Sequence, residues 1–430
     1  MKVVMVDSTK SGIATIPSLG VLYVASVMEK AGNEVKVELL SLSDDVEKIG
    51  KNVSGEDPEL IGISCLHTAN MKVIPDIARS IRNYTDAPIM VGGTHPTIMY
   101  EDVLKKCPEI DFVVRGEAEL TVVELGKALE NDEPLSRVKG IAYRDNGNIV
   151  ATEKRPYIAD IDTIPFPARH LIPMEKFKPS SRGNMITSRG CPLSCIHCCV
   201  PQVYGSAFRA RTPENIVKEI KELITDYDIN YIKFVDDTSG VDRNRVADFC
   251  DLIMKENLDI SWGAKASAGK LDEPLLKKMK EAGCQELFFT ILSSHQKSLD
   301  MIGNKAKIDV IERAIKLTQK AGIKVTAIVF IGVPFETKQE VLETIKFAEA
   351  LNLTRIGLQL FGPVPGSEVY YNLEKYGITM LKEDEIPQYE FNPVASPIIE
   401  TSELTKEDIV ELAMKAVEIR LEARAKYHAG

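Results

Sequence analysis

The sequence lacks three features that would each assign it to a broad class of proteins. It has no basic excess, because 53 Lys and Arg stand against 63 Asp and Glu and give a net charge of −10. A nucleic-acid backbone calls for a basic face on its partner. No apolar run reaches the roughly 20 residues of a membrane span, and no signal peptide precedes the first strand-like run. We therefore expect a cytoplasmic protein with neither nucleic acid nor membrane as partner.

Internal repeats and low-complexity tracts are also absent. The 430 residues are 44% hydrophobic and 27% charged, as in ordinary globular proteins, and they suffice for two to four domains. In a cytoplasmic chain, clustered cysteines are more often metal ligands or redox groups than disulfides. The eight cysteines are therefore the first residues to explain.

The first 130 residues alternate β-rich and helical runs, which predicts a parallel sheet covered by helices on both faces. Five strands suit a small doubly wound, Rossmann-like domain, followed by a hairpin with Asn146-Gly147 at its turn. The predicted strands are 2–6, 34–40, 60–65, 88–93 and 111–116. The predicted helices are 19–31, 71–84, 98–106 and 120–130.

After a proline-bearing connector, "DIDTIPFPARHLIP", a second block predicts six β/α units, which is an incomplete TIM-type barrel with its chemistry at the carboxyl ends of the strands. Its first helix opens with Thr212 as cap residue, and a final helix starts at the capping-box pattern "TKED". The strand candidates are 184–188, 231–235, 260–265, 286–291, 324–331 and 355–361. The predicted boundaries are a domain at 1–150, a docked linker at 151–183, the barrel at 184–378 and a C-terminal cap and helix at 379–430.

Half of the cysteines fall within "RGCPLSCIHCC", directly after the first barrel strand. Cys191, Cys195 and Cys198 are spaced CxxxCxxC, and soft thiolates favour zinc or iron–sulfur. A closed zinc site would need a fourth ligand from Cys199 or His197, which adjacent residues seldom supply. The alternative is three ligands on a four-iron four-sulfur cluster, with one iron open to a substrate or cofactor.

Several motifs in this order resemble the radical SAM family: "RGCPLSCIHC", "FVDD" at 234–237, "GVPFET" at 332–337 and "PVPGSEVYYNLEKYG" at 363–377. The first block, with "PSLGVLYVASVMEKAGNEVKV", "VGGTHPT" and "VVRGEAELT", is similar to the cobalamin-binding domain that precedes the barrel in one large subgroup. The resemblance covers residues 1 to about 378 and includes the order of the domains.

This resemblance implies three cofactors: a four-iron four-sulfur cluster on Cys191, Cys195 and Cys198, S-adenosylmethionine (SAM) and cobalamin. An electron donor such as ferredoxin or flavodoxin would supply the electron that splits SAM into methionine and a 5'-deoxyadenosyl radical. Asp236 and Asp237 would meet the amino end of SAM, and capping of the next helix is an equal alternative for either one alone. The turn at Gly332 and Pro334 would lie near the adenine, and no further side chain is singled out as catalytic.

For cobalamin, the resemblance implies contacts from strand ends and from the first helix. Where relatives that ligate cobalt from below have DxHxxG, this chain has Thr9 in place of the histidine, so that route of ligation is excluded. His67 and His95 remain, and a hydrogen-bonded histidine near the nucleotide tail is the favoured role for them. The predicted contacts are Thr9, Leu19, Gly20, Val21, Ser64, Leu66, His67, Gly92, Gly93, Thr94, Gly116 and Glu117.

Three positions depart from the family pattern. Leu292 stands where a SAM-binding glutamate is usual, Ser267 stands where an arginine is common, and His197 replaces an aromatic residue that shields the cluster. Lys265, Lys270 or His295 could supply the missing polar partners. The alternative is that the enzyme binds SAM in an unusual way and transfers the methyl group by a two-electron reaction.

The leading hypothesis is a cobalamin-dependent radical SAM methyltransferase that moves a methyl from methylcobalamin to an unactivated carbon. The substrate would lie in an interdomain cavity. A protein or peptide residue is preferred, for example a glutamine of methyl-coenzyme M reductase, over a small molecule. The alternatives are a cyclase or rearrangement enzyme of the same architecture, a non-radical methyltransferase, and a cobalamin-binding sensor with a degenerate barrel.

Overall fold

The computed structural model describes residues 1–8, 16–40, 46–66, 68–237, 240–381 and 397–429. The chain divides into two compact units. The first contains Met1–Asn184 and Gln202–Gly205, and the second contains Met185–Pro201 and Ser206–Gly430. Among the described residues, no helix combines the length and the apolar character that a membrane crossing needs.

A seven-stranded sheet forms the centre of the first unit, in the order β2-β1-β3-β4-β5-β6-β7. Strands β1 to β5 pair in parallel, and β6 and β7 complete the sheet as an antiparallel hairpin. Asn146 and Gly147 both have positive φ at the hairpin turn, as the sequence predicts. The strands are β1 (Lys2–Asp7), β2 (Glu34–Leu39), β3 (Leu60–Ser64), β4 (Ile89–Gly92), β5 (Phe112–Val114), β6 (Ile141–Asp145) and β7 (Asn148–Ala151).

Apolar side chains cover both faces of this sheet, because alternate residues of each parallel strand point to opposite sides. Val4 and Val6 belong to one buried cluster, whereas Val3 and Met5 belong to the other. The helices are α1 (Leu19–Lys30), α2 (Val46–Gly55), α3 (Ile74–Arg82), α4 (Thr94–Ile98), α5 (Tyr100–Lys106), α6 (Glu119–Glu130) and α7 (Pro179–Arg182). The sequence missed α2, whose only buried residues are Ile49, Gly50 and Val53.

The second unit is built on a six-stranded sheet in the order β15-β14-β13-β12-β11-β8. The pairings from β11 to β15 are all parallel. These strands are β8 (Asn184–Met185), β11 (Tyr231–Phe234), β12 (Ser261–Lys265), β13 (Cys284–Ile291), β14 (Lys324–Ile331) and β15 (Arg355–Leu360). Two short antiparallel pairs are β9 (Ser188–Arg189) with β10 (Arg209–Ala210), and β16 (Ile378–Met380) with β17 (Ile399–Thr401).

Helices follow the strands of the second unit in the predicted order. Thr212 caps α9 by accepting a hydrogen bond from the backbone N of Asn215, and Thr405 forms the predicted capping box with Asp408 at the start of α16. The helices are α8 (Val200–Tyr204), α9 (Pro213–Tyr227), α10 (Arg243–Lys255), α11 (Glu273–Glu281), α12 (Gln296–Met301), α13 (Ile308–Lys320), α14 (Lys338–Ala350), α15 (Glu368–Tyr371) and α16 (Lys406–Ala429). Most of the predicted cap, 382–396, lies outside the described residues.

Gly93, directly after β4, allows a close approach that no other residue permits. Its φ is 122°, and an added Cβ would lie 2.1 Å from the carbonyl oxygen of Cys65 at the end of the neighbouring strand β3. An L-residue is strained at this φ even without the clash.

We expect Gly93→Ala to lower the free energy of unfolding by more than about 2 kcal/mol, from strain and overlap together. The matched control is Gly55→Ala, at an exposed helical glycine whose added Cβ meets nothing within 4 Å, and this variant should be neutral or slightly stabilised. Urea unfolding followed by far-UV circular dichroism measures both variants. Equal midpoints for the two variants would contradict the assigned backbone conformation.

Candidate cofactor sites

The cysteine loop follows β9 and is held in place by its own backbone. The N of Ile196 donates to the carbonyl oxygen of Ile302 at 3.0 Å, and its carbonyl oxygen accepts from the N of Val369 at 3.0 Å. Gly303 packs so closely that an added Cβ would lie 2.7 Å from the carbonyl oxygen of Ser194. The loop is therefore fixed to the segment that follows α12 and to the short helix α15.

The three predicted cluster ligands share one buried neighbourhood. Cys191 is buried, and Cys195 and Cys198 are half-buried. Burial raises the pKa of Cys195 to about 11, with Cys191 adding to the effect, and raises the pKa of Cys198 to about 12, with Cys195 among the neighbours that add to it. Within the described residues, no three His, Cys, Asp or Glu side chains form a ready-made site for a single metal ion.

Each of the eight cysteines lies in the described part of the chain, and none forms a disulfide. Burial raises the pKa of Cys199 to about 11, and Asp237 is the neighbouring charge that adds to this shift. Asp237 interacts electrostatically with both thiols of the adjacent pair Cys198 and Cys199, and Cys198 also interacts with Cys195.

His197 takes the position of the usual shielding aromatic residue, and its ring packs as an aromatic ring would. Its centroid lies 5.7 Å from that of Phe330 at the end of β14 and 5.9 Å from that of Phe361 after β15. Burial lowers the pKa of His197 to about 4, so the imidazole is neutral near pH 7. Its Nδ1 is buried without a hydrogen-bond partner among the described residues.

Asp236 and Asp237, after β11, have different surroundings. Asp236 is 1% exposed, and its carboxylate accepts hydrogen bonds from the N of Thr187 (2.6 Å), the Oγ1 of Thr187 (2.5 Å) and the Oγ of Ser188 (2.8 Å). Asp237 is half-buried. Burial raises its pKa, and the ammonium of Lys265 acts in the opposite direction. The geometry favours Asp237 as the SAM contact and Asp236 as the residue that positions the loop.

The loop after β14 forms the predicted turn and also contains a residue that the sequence analysis missed. Gly332 has a φ of 83° and packs against Ile409 of α16, and Pro334 is buried. The missed residue is Glu336, which is turned inward and fully buried, while the next residue, Thr337, caps α14.

Glu336 joins this loop to the segment that departs from the family pattern after β13. Its carboxyl group accepts a hydrogen bond from the Oγ of Ser293, which itself accepts one from the N of His295 at 2.9 Å. Burial raises the pKa of Glu336, and its Oε2 has no partner among the described residues. Leu292 itself is 3% exposed and packs in the core. A glutamate just before a capped helix was the only sequence signal.

In the first unit, the predicted cobalamin contacts lie at one edge of the sheet, because the carboxyl ends of parallel strands meet there. Ser64 ends β3 and Leu66 follows it, Gly92 ends β4 and is followed by Gly93 and Thr94, and Gly116 and Glu117 follow β5. Leu66 is 40% exposed and Gly20 is exposed, so both can meet a ligand. Thr9 and His67 lie outside the described residues.

Some of these predicted contacts are already engaged within the first unit. Leu19 and Val21 are buried, and the Oε2 of buried Glu117 accepts a hydrogen bond from the N of Ile158 at 2.7 Å. The predicted hydrogen bond of His95 is not found at Nδ1, which is buried without a partner among the described residues. Burial lowers the pKa of His95 to about 4, so its ring is neutral near pH 7.

Comparison with known proteins agrees with this division. A B12 binding domain model matches residues 13–126, and a radical SAM superfamily model matches residues 185–348. An uncharacterized methyltransferase of Pyrococcus horikoshii is 32% identical over 430 residues, which cover 97% of this chain and 91% of that protein. This chain belongs to the cobalamin-binding radical SAM family.

Two further relatives differ in what they support. The anaerobic magnesium-protoporphyrin IX monomethyl ester cyclase of Rubrivivax gelatinosus is 27% identical over 83% of this chain and 66% of its own length. The structure of TsrM, a radical S-adenosylmethionine methyltransferase from Kitasatospora setae, was solved with cobalamin and a [4Fe-4S] cluster. It has a TM-score of 0.78 over 98% of this chain and 88% of its own, at 17% identity, which shows the fold alone.

The sequence predictions of the family, the α/β fold class, an enzyme of the methyltransferase class and its three cofactors are confirmed. The individual site residues stay predictions. The donor set fits the implied groups: three buried thiols suit an iron–sulfur cluster, and glycine-rich strand ends suit a large tail that must approach the backbone. Cys191, Cys195 and Cys198 would hold the cluster, and Asp237 would receive the amino group of SAM.

The two aspartates give a direct test of their different roles. We expect Asp236→Asn to lower the free energy of unfolding by about 1–3 kcal/mol, because an amide NH₂ would face buried donors. Asp237→Asn should unfold at the same or a higher urea concentration, because it removes a charge that burial disfavours, while weakening SAM binding. Trp262 of β12, the one tryptophan in the sequence, reports unfolding of this unit, and calorimetry on the reconstituted protein reports SAM binding.

The pH dependence of stability separates the aspartates further. Because the pKa of Asp237 is raised from 3.8 in the folded state, its protonation contributes stability that is complete below about pH 3.8 and is lost as pH rises through the raised pKa. The difference in stability between the wild type and Asp237→Asn should follow this direction. A pH-independent difference, or a stable Asp236→Asn, would contradict these assignments.

Proposed function

We propose that this chain methylates an unactivated carbon by the cobalamin-dependent radical SAM reaction. The observation that carries the proposal is the intact loop with its three cysteines, one buried and two half-buried, of which Cys198 interacts electrostatically with the half-buried carboxyl of Asp237. When bound, the cluster, SAM and cobalamin supply the electron, the adenosyl radical and the methyl group. The methyltransferase relative of P. horikoshii supports methyl transfer as the outcome.

The residues of this chain hold those groups and keep water away from them. The neutral ring of His197, between Phe330 and Phe361, covers one side of the cysteine loop with apolar surface. Lys265, at the end of β12, interacts electrostatically with Asp237 and is the cation best placed for the carboxylate of SAM. This pair would take over the roles that Leu292 and Ser267 do not fill. Holding reactive groups in a dry, oriented site is the contribution that the protein makes to such chemistry.

Four cysteine variants test the ligand assignment. We expect Cys191→Ala, Cys195→Ala and Cys198→Ala each to lose the iron-dependent absorbance and all SAM cleavage, because three thiolates are the minimum that holds such a cluster here. Cys199→Ala is the matched control and should keep full iron content. Iron and sulfide are measured after anaerobic reconstitution. Retention of a complete cluster by Cys198→Ala together with its loss in Cys199→Ala would overturn the assignment.

The proposed substrate is a more specific claim than the proposed reaction class. A residue of a protein or peptide, for example a glutamine of methyl-coenzyme M reductase, is the proposed substrate, and a small molecule is the competing one. A substrate position in a cavity between the two domains stays a prediction. Neither the iron cluster nor the first unit distinguishes a protein substrate from a small molecule. The side chains inside the barrel would therefore have to determine which substrate binds.

The reaction class is tested by the products that SAM yields. The protein is reconstituted anaerobically with iron, sulfide and hydroxocobalamin, then given SAM and a reductant such as flavodoxin. S-adenosylhomocysteine and 5'-deoxyadenosine are quantified together. The proposal expects both products, one for each SAM consumed in methyl donation and in radical formation. Formation of S-adenosylhomocysteine without 5'-deoxyadenosine would support methyl transfer and would contradict the radical step.

A second candidate is ring formation or rearrangement, which the cyclase relative of R. gelatinosus supports. That chemistry uses the radical without consuming a methyl group. Its expected result is 5'-deoxyadenosine with no S-adenosylhomocysteine, so the same measurement separates the two enzymes. A binding module with a degenerate barrel would give neither product.

A further inference from the structure

The two faces of the six-stranded sheet in the second unit differ in character. On the outer face, Phe234 and Trp262 are buried against each other and against Phe249 of α10, with ring centroids 5.4–5.7 Å apart. On the inner face, Lys233 is half-buried and Thr290 is exposed. A complete barrel fills its interior with packed side chains. The inner face of this partial barrel instead carries polar and charged side chains, Lys233 and Thr290 among them, that the described residues do not fully bury.

Lys233 is an unpaired cation on this inner face. Its Nζ lies 4.7 Å from the ring centroid of Phe288, and it makes no hydrogen bond or ion pair with the described residues. Gly263 lies opposite both Lys233 and Glu286 in the strand register, and because it has no side chain the ring of Phe288 and the hydroxyl of Tyr231 approach its Cα, so that an added Cβ would lie 3.3 and 3.4 Å from them. A cation over an aromatic face is held in place without being neutralised.

The charges around Lys233 do not balance. Burial lowers the pKa of Lys233, Glu286 opposes this shift, and Arg355 and Lys265 add to it as like charges. Glu286 is also engaged elsewhere, since one of its oxygens accepts from the Oγ1 of Thr326 at 2.5 Å. Arg355 and Lys265 are exposed and Lys265 also interacts with Asp237, whereas the half-buried ammonium of Lys233 has no ion-pair partner among the described residues. A half-buried charge without such a partner destabilises the fold. Such a group calls for an anion from outside the chain.

We propose that Lys233, with Arg355, binds an anionic group of the methyl-accepting substrate, a carboxylate or a phosphate, on the inner face of the partial barrel. This inference rests on the proposed function, because it assigns the open interior to the substrate of that reaction. The substrate is therefore an acid, whether it is a small molecule or an acidic group within a larger one.

This anion subsite is distinct from the carboxylate of SAM. Lys233 lies within β11, whereas Asp237 lies three residues beyond the carboxyl end of that strand. The side chain of Lys233 points to the inner face, on the side of the sheet opposite to Phe234. Lys265, at the end of β12, interacts with Asp237 and would meet the cofactor. The substrate anion would thus lie deeper in the barrel than the cofactor. The ammonium of Lys233 that binds it rests on the ring of Phe288.

The test uses the reconstituted full chain saturated with S-adenosylhomocysteine, so that the cofactor position is filled. Inorganic phosphate and acetate are titrated separately, by phosphorus and carbon NMR linewidths, to distinguish a phosphate from a carboxylate. Lys233→Met should weaken binding of the preferred anion by about tenfold or more, as expected for loss of a charge-assisted contact, and Lys233→Arg should restore most of it. Arg355→Gln is the second variant. Lys277→Met, at a lysine with 79% exposure on α11, is the matched control and should bind as wild type does.

Thermal unfolding of Lys233→Met distinguishes a binding role for this lysine from a structural one. Removal of an unpaired ammonium should leave the melting temperature unchanged or raise it, whereas a structural lysine would lower it. Equal anion binding by the wild type and Lys233→Met, or no anion binding at all, overturns this inference. If anion binding depends on Lys233 while SAM yields no adenosyl products, the proposed function fails and the anion site stands. If SAM yields both adenosyl products while anion binding does not depend on Lys233, the proposed function stands and the assignment of an acidic substrate fails.

Discussion

The carboxylate of Asp236 is the constraint on which the candidate site depends. By accepting hydrogen bonds from Thr187 and Ser188, it fastens the residues that lead into the cysteine loop to the end of β11. The next residue, Asp237, interacts electrostatically with Cys198. One buried carboxylate would thus position both the proposed cluster ligand and the proposed cofactor contact.

The buried polar groups of the second unit fall into two kinds. The carboxylate of Asp236 has hydrogen-bond partners within the chain, and its role is to position the residues that lead into the cysteine loop. The Nδ1 of His197, the Oε2 of Glu336 and the ammonium of Lys233 are buried or half-buried without a hydrogen bond from the described residues. Unsatisfied buried groups cost stability, and proteins retain them mainly where function requires them. All three belong to the strand ends or the inner face of one partial barrel.

Sequence reasoning succeeded where the signal was local. The Asn146-Gly147 turn and the cap at Thr212 each depend on residues within one turn, and the alternation of strands and helices predicted the fold class; the CxxxCxxC spacing is equally local, and its three cluster ligands stay a prediction. It did not separate Asp236 from Asp237, because adjacent acids differ only in what the folded chain brings to them. Glu336 and Lys233 were passed over for the same reason: their significance comes from Ser293 and Phe288, which are distant in the sequence.

The central claim is that three thiols hold an iron cluster whose fourth iron is left for SAM. Mössbauer spectroscopy of protein reconstituted with isotopically enriched iron, recorded with and without SAM, tests it most directly. One iron site in four should change its isomer shift when SAM is added, while the other three stay as they were. A spectrum that SAM leaves unchanged, or iron that is absent because zinc occupies the thiols, would contradict the account.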